Sequence, residues 1–314
     1  MIKKIGITIL AIVLTTGFYF IFNQSITKEQ AQHQYLATNI PTSEVLAPHI
    51  PEKLEFAGER VPIEFPDVYE SLDNEMLANT FWHSQVIRFI KRSNKYFPVI
   101  EPILRKNNIP DDFKYLAVAE SGLSNVVSPS KAAGFWQFLK GTAKDYRLEV
   151  NKDIDERYHL EKSTQAACDY LNDAYKKLGS WTLVAASYNM GMSGLANRLS
   201  EQKVNNYYDL RLNSETARYV FRIVAIKTIM EDPSKYGFKI RTEDMYQTWF
   251  CDTLLCDSSL SSLVDYAQMN GTSYKLLKLL NPWLISNTLN NSENKSYTIF
   301  VPQRGFRNFV APKE

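Results

Sequence analysis

From Leu72 to Asp232 apolar residues recur at the three- and four-residue spacing of helix faces, and no strand-like alternation of comparable length interrupts them. A run of this kind has one way to hide its apolar stripes, which is to pack helix against helix. The spacing predicts helices over roughly Asn74 to Ser93, Tyr96 to Asn107, Pro110 to Glu120, Thr142 to Tyr146, Leu160 to Leu178, Trp181 to Asn189 and Asn213 to Glu231. Pro110-Asp111 reads as a helix start and Gly179 as a C-cap. The last segment is the most apolar, with Val220, Phe221, Ile223, Val224, Ala225, Ile226, Ile229 and Met230, and is expected at the centre of the core.

One residue breaks the pattern. Phe113, Leu116, Ala117 and Glu120 fall at i, i+3, i+4 and i+7, so a carboxylate shares an apolar face. Burial there disfavours the ionised form and raises the pKa, which keeps a carboxyl group protonated and able to act as a general acid. No further Asp or Glu occurs until Asp145. The residues between are small, hydroxylated, amide-bearing or aromatic, among them Ser121, Ser128, Ser130, Gly134, Trp136 and Gln137, and suit sugar recognition better than metal binding.

The flanks differ in texture. Lys3 and Lys4 precede eighteen uncharged residues, Ile5 to Phe22, the layout of an export signal. With no small-x-small cleavage site and no nearby cysteine to carry a lipid, residues 1–22 are expected to stay as a signal-anchor rather than to be cleaved as a signal peptide. The positive-inside rule then places the remainder outside the cytoplasm. Residues 23–71 are punctuated by Pro41, Pro48, Pro51, Pro62 and Pro66 and read as a linker or arm, in which FAGERVPIEF can lie against the domain as a strand. Beyond Lys239, strands are expected at Met245 to Phe250 and Ser296 to Val301, around helices at Leu260 to Asn270 and Tyr274 to Leu280. The fold class is therefore mainly α: an all-α domain over 72–237 and a small α+β module over 240–304.

Hydrophobic content of 45% supports a packed core, while a net charge of +2 leaves no footprint for nucleic acid. His33, His49, His83 and His159 form no metal-binding spacing, and neither a metal nor another cofactor is expected. Cys168 lies on a helical stripe and reads as a buried thiol; Cys251 and Cys256 are near enough in sequence to close a small loop in an oxidising compartment. The oligomeric state is not legible.

Five motifs in order carry a resemblance: Ala119-Glu120-Ser121, Ser128-Pro129, Ala133-Gly134-Phe135-Trp136-Gln137-Phe138, Ala186-Ser187-Tyr188-Asn189-Met190-Gly191 and Glu215-Thr216-Ala217-Arg218-Tyr219-Val220. Together they resemble the signature of the soluble-type lytic murein transglycosylases, with the nearest likeness to the membrane-bound D type. The resemblance implies a lysozyme-like catalytic domain acting on peptidoglycan glycan strands at the periplasmic face of the cell envelope. It implies cleavage of the β-1,4 bond between N-acetylmuramic acid and N-acetylglucosamine, with the muramyl C6 hydroxyl attacking C1 to leave a 1,6-anhydro end. Glu120 is then the lone acid and base, Ser128 holds the acetamido group or the attacking geometry, and Ser130 is a lesser candidate for the same task. Gln137 and Asn189 bind sugar or shape the loop, Tyr219 orients the glutamate or an oxazolinium-like intermediate, and Phe135, Trp136 and Tyr188 offer faces to sugar rings. Lys131 stands where the family commonly has glycine, and Leu139-Lys140 where it has Met-Pro. The C-terminal module resembles a LysM unit more loosely, without the usual Gly-Asp near its start.

Two rivals share the fold or the ligand: a hydrolytic muramidase with the same acid, and a non-catalytic wall-binding scaffold. A serine acyl-enzyme is disfavoured. Ser128-x-x-Lys131 fits its motif, but Ser25 to Lys28, Ser200 to Lys203 and Ser292 to Lys295 fit equally, and no SDN or KTG companion occurs.

Overall fold

In the computed structural model of the chain, residues 46–303 and 305–306 are described. The expected anchor at 1–22 and the start of the arm lie outside them. The chain divides after Ala47, and the elements belong to its second unit, Pro48–Glu314.

The fold is mainly α, as expected. A minimal hairpin, β1 (Glu55–Phe56) and β2 (Glu59–Arg60), is followed by α1 (Pro66–Phe81), α2 (His83–Lys106), α3 (Phe113–Ser121), α4 (Lys140–Asp145) and α5 (Leu160–Leu178). Then come α6 (Trp181–Met190), α7 (Met192–Gln202) and α8 (Ser214–Glu231). The most apolar segment is indeed central. In α8, Val220, Ile223, Val224, Ala225 and Ile229 are wholly buried, and the helix packs against α1, α3 and α6. Each fully buried branched aliphatic side chain there contributes about 1.5–3 kcal/mol. Asn213 caps α8 by accepting from the Thr216 amide at 2.9 Å, and Gly179 ends α5 in the left-handed region.

Helix boundaries differ from the sequence reading, first at α1, which begins at Pro66 inside the expected arm because proline fits the first position of a helix. The break expected between Ser93 and Tyr96 falls instead at Trp82, whose φ −85°, ψ 55° closes α1 and opens α2. Helix α2 runs on through Pro98 and Pro102. Those prolines cost two helical N–H donors, yet the buried Ile100 and Leu104 hold the segment in the core. Helix α7 had no sequence counterpart: Met192, Leu195 and Leu199 form a short stripe packed on the core, but only Leu195 is fully buried and Gly194 interrupts the segment.

The first half of FAGERVPIEF, together with Glu55, forms the β1–β2 hairpin, in register Glu55 with Arg60 and Phe56 with Glu59. Phe56 is wholly buried, 5.2 Å from the Phe113 ring. The hairpin reaches three helices. Glu59 accepts from the Trp181 and Thr182 amides at 2.6 and 2.9 Å and from the Ser180 and Thr182 hydroxyls at 2.7 and 2.6 Å, across the N-terminus of α6. Asp112, preceding α3, accepts from the Ala57 amide and from Lys227 of α8, each at 2.7 Å. Lys227 also donates to the Glu55 carbonyl at 3.1 Å.

The C-terminal module consists of β3 (Cys251–Cys256), α9 (Leu263–Met269), α10 (Tyr274–Leu280) and β4 (Tyr297–Pro302), with β3 and β4 antiparallel. Met245 to Phe250, expected as the first strand, instead lies along α2. The Tyr246 amide bonds the Lys91 carbonyl at 3.2 Å and Lys95 sits 4.2 Å from the Trp249 ring centroid. Cys251 and Cys256 are free and occupy opposite ends of β3. The five residue-to-residue steps between them span roughly 16 Å, far beyond the reach of a disulfide, so the loop closure entertained from the sequence does not occur.

The module is docked on residues 149–159. Ile154 is buried in the module's own core, the Asp155 amide donates to the Trp283 carbonyl at 2.8 Å, and the Ile285 amide donates to the Asp153 carbonyl at 2.9 Å. Tyr297 and Lys295 both reach Glu149.

Candidate active site

Helix α3 is short because Gly122 ends it at φ +59°, its amide bonded to the Val118 carbonyl at 2.8 Å. A Cβ at Gly122 would stand 2.7 Å from the Phe89 ring, so both backbone and space demand glycine there. With Phe113, Leu116 and Ala117 wholly buried on its inner face, α3 presents Glu120 one residue before its end, partly accessible to solvent but enclosed mainly by protein.

Burial raises the Glu120 pKa to about 7. A hydrogen bond from Tyr219 and the Arg222 charge act the other way, and the Glu215 carboxylate adds to the rise. The Tyr219 hydroxyl, on α8, donates to Glu120 Oε1. Tyr219 and Tyr188 are both held well above ordinary phenol values, first by burial and then by the Glu120 charge, so both stay protonated donors. Tyr188, on α6, donates to the Trp136 carbonyl at 2.7 Å and packs edge-on against Tyr170 at 5.1 Å.

Asn189 joins the end of α6 to the start of α8. Its amide donates to Glu215 Oε1 at 3.0 Å, and its oxygen accepts from the Thr216 hydroxyl at 2.7 Å. The carboxylate that bears on Glu120 is thus itself fixed by a candidate residue.

The polar loop from Gly122 to Leu139 folds on itself. The Ser128 amide donates to the Ala132 carbonyl at 2.9 Å, and the Ser128 hydroxyl accepts from the Ala132 amide at 3.0 Å. Lys131 adopts φ +64° in this turn, which explains physically why a glycine suits the position. Ser130 is exposed at the turn, apart from the bonded group around Glu120. Gln137, at φ +48°, spends its amide on the Val126 and Gly134 carbonyls at 3.0 and 2.8 Å. Gly134 lies so close to the next segment that a Cβ would come within 1.8 Å of the Arg157 carbonyl oxygen.

Contacts therefore bring Glu120, Tyr219 and Tyr188 together, with Asn189 linked through Glu215, while Ser128 and Gln137 serve their own loop. The aromatic faces need correction. Trp136 is wholly buried with Nε1 bonded to the Thr164 hydroxyl at 2.9 Å, and Phe135 is buried against Tyr96, so neither ring is available to a sugar. Sequence reasoning missed Arg157, Asp155 and Glu59, whose partners lie in other segments and leave no local pattern. Among the described residues no cluster of three or more His, Cys, Asp or Glu is disposed to hold a metal ion.

Comparison with known proteins gives two family matches: the Transglycosylase SLT domain over residues 97–210, and the Soluble lytic transglycosylase C-terminal LysM-like domain over residues 252–305. Membrane-bound lytic murein transglycosylase D of Escherichia coli K12 is 26% identical over 249 residues, which cover 76% of this chain and 53% of that protein. The chain thus spans about half the length of the curated relative. Among solved structures, the 70 kDa soluble lytic transglycosylase of Escherichia coli aligns with 19% identity and TM-score 0.37, covering 49% of this chain and 27% of that one. An inactive variant of lytic transglycosylase Slt from Pseudomonas aeruginosa aligns with 15% identity and TM-score 0.36 over the same shares.

Proposed function

We propose, for a chain that carries an SLT transglycosylase domain followed by a LysM-like domain and is homologous to membrane-bound lytic murein transglycosylase D, that it is a peptidoglycan lytic transglycosylase. The observation that carries the reading is the glutamic acid at the end of α3, held near pKa 7 with the Tyr219 hydroxyl on one of its oxygens.

A carboxyl group with that pKa is matched to both halves of an acid-base cycle at neutral pH. Tyr219 occupies Oε1, so Oε2 is the oxygen free to exchange a proton with substrate. Protonated Oε2 gives its proton to the glycosidic oxygen as the bond to C1 breaks and the N-acetylglucosamine chain leaves. The carboxylate so formed takes the proton of the muramyl C6 hydroxyl as that oxygen bonds C1, which closes the 1,6-anhydro ring and restores the acid. A glycosidase with two carboxylates places the second across the bond as nucleophile or water-activating base. Glu215 is not placed for that task, being on the exposed first turn of α8 and held by Asn189. In this reading Tyr219 orients the acid, Tyr188 and Asn189 shape the wall against which the loop rests, and Ser128, Ser130 and Gln137 line the glycan path.

Residues 72–237 form the catalytic domain and 240–304 the LysM-like module, which adds binding surface for glycan. The cell envelope is the location that fits a murein substrate, and residues 1–22 anchor the chain there. Release of the protein into the soluble fraction of lysed cells would refute the anchor.

The decisive test is mass spectrometry of muropeptides released from purified peptidoglycan. Wild type is expected to yield anhydro products, and Glu120→Gln to lose activity by on the order of 10³-fold while still co-sedimenting with peptidoglycan. Products one water heavier would make the protein a hydrolytic muramidase; unchanged turnover by Glu120→Gln would remove the acid assigned here.

A further inference from the structure

The loop from Ser128 to Gln137 lies between Glu120 and the segment that receives the C-terminal module, and one side chain ties the two. Arg157 is nearly buried, its side chain 11% exposed. Its Nε and Nη2 fork onto Asp155 at 2.9 and 2.7 Å, while Nη1 donates to the Lys131 carbonyl at 2.9 Å and the Phe138 carbonyl at 3.1 Å. Those two carbonyls stand at either end of the Ala132–Gln137 stretch. Beneath its middle, the Arg157 carbonyl occupies the space that a side chain at residue 134 would need. On the far side the Asp155 amide is bonded to Trp283 of the module.

We propose that Arg157 is a positioning residue for the glycan-binding loop, setting its distance from Glu120 and relaying to it the docking of the C-terminal module. The proposal deepens, and rests on, the transglycosylase reading. A planar guanidinium with its fork fixed on a buried carboxylate has one orientation left, so its remaining donors hold both carbonyls in a set geometry. A lysine places one ammonium and cannot serve the carboxylate fork and two separate carbonyls together. Buried Phe135, Trp136 and Phe138 and the loop's own hydrogen bonds give it its shape, yet the Val127–Ala133 and Ala133–Phe138 bridges are isolated and Lys131 and Gln137 adopt positive φ; Arg157 adds the side chain that fastens both ends to the segment beneath the module. Arg157 touches no reacting atom in this arrangement and acts through the residues it positions.

The test uses the full chain and two independent readouts. In Arg157→Ala, amide exchange at Ala132 to Phe138 is expected to quicken by about tenfold or more, with the amides of α5 and α8 unaltered. Loop protection equal to wild type would overturn the proposal, and so would a loss of protection throughout the molecule, which marks a stabilising ion pair and nothing more. On soluble, uncrosslinked glycan chains KM is expected to rise on the order of tenfold, with kcat and the neutral-pH limb set by Glu120 retained. Millimolar guanidinium should restore part of the loss. A fall in kcat at unchanged KM reports a smaller folded fraction and counts against positioning. Since Arg157→Ala strands a buried carboxylate, the pair Arg157→Ala with Asp155→Asn repeats both readouts without that charge, and Arg157→Lys should fall between wild type and Arg157→Ala. If wild type releases no anhydro product, the functional reading fails and the exchange measurement alone decides the role of Arg157.

Discussion

The hydrogen bond from Tyr219 to Glu120 opposes the effect of burial, and their balance sets where the carboxyl titrates. Tyr219→Phe removes the donor that favours the ionised form, so the Glu120 pKa should move further up. The limb of the kcat/KM profile that falls as the acid deprotonates should then shift to higher pH, with activity down about tenfold from lost orientation. A pH–rate series on both proteins checks the direction. Burial of this acid also has a stability cost with a definite sign. Its folded pKa, about 7, lies above the ordinary 4.5, so the folded state holds the proton more tightly and stability falls as pH rises from 4.5 through 7. Glu120→Gln should therefore be more stable than wild type at pH 8 by at most about 3 kcal/mol and no different near pH 4, as read by denaturant titration at each pH. This acid was legible from the sequence because its helical spacing put a carboxylate among Phe113, Leu116 and Ala117. Tyr219, ninety-nine residues away, was reached through a family motif and not through any local pattern.

Helix α6 is capped by Ser180 and carries Tyr188 and Asn189 at its other end, so whatever fixes its start also fixes the wall against which the loop rests. Four donors there converge on Glu59. Burial pushes the Glu59 pKa up, but the bonds from Thr182, Ser180 and Trp181 outweigh it and leave the group below its usual value. Its contribution is fully present above pH 4.5 and lost as pH falls through the lowered folded pKa. Glu59→Gln should cost about 1–2 kcal/mol at pH 7, with the difference from wild type shrinking in acid; thermal melts at pH 7 and pH 3 measure it. Elements with strong stripes, such as Leu160 to Leu178, were read from the sequence to the residue. The failures have local causes: prolines that α2 absorbs, a Trp82 break with no breaker residue, and an apparent strand at Met245 to Phe250 that is drawn onto α2 instead.

At the scale of the whole molecule, Ile154 from the segment that follows α4 is buried in the core of the C-terminal module, with backbone hydrogen bonds to the module on both sides of it. Calorimetry should accordingly show one cooperative transition for Pro48–Glu314, and two separate endotherms would contradict this coupling. The division into helical and α+β parts was visible in the change of texture after Lys239, but their union was not, because it depends on residues 149–159 meeting a loop around Trp283. The same dependence on distant partners governs the β1–β2 hairpin, whose bonds reach 121 residues ahead to Ser180 and 172 ahead to Lys227. A two-residue hairpin has no stability alone, so on a growing chain its set of partners is complete only when α8 has been made. The earliest described element is then among the last to dock. Its loop-closure entropy is met late, and substitutions in it should hasten unfolding more than they slow folding. Synthesis through Lys227 is thus the point at which the hairpin can brace all three helices that carry Glu120, Tyr188 and Tyr219 together, and a chain interrupted earlier has its acid but lacks the full brace.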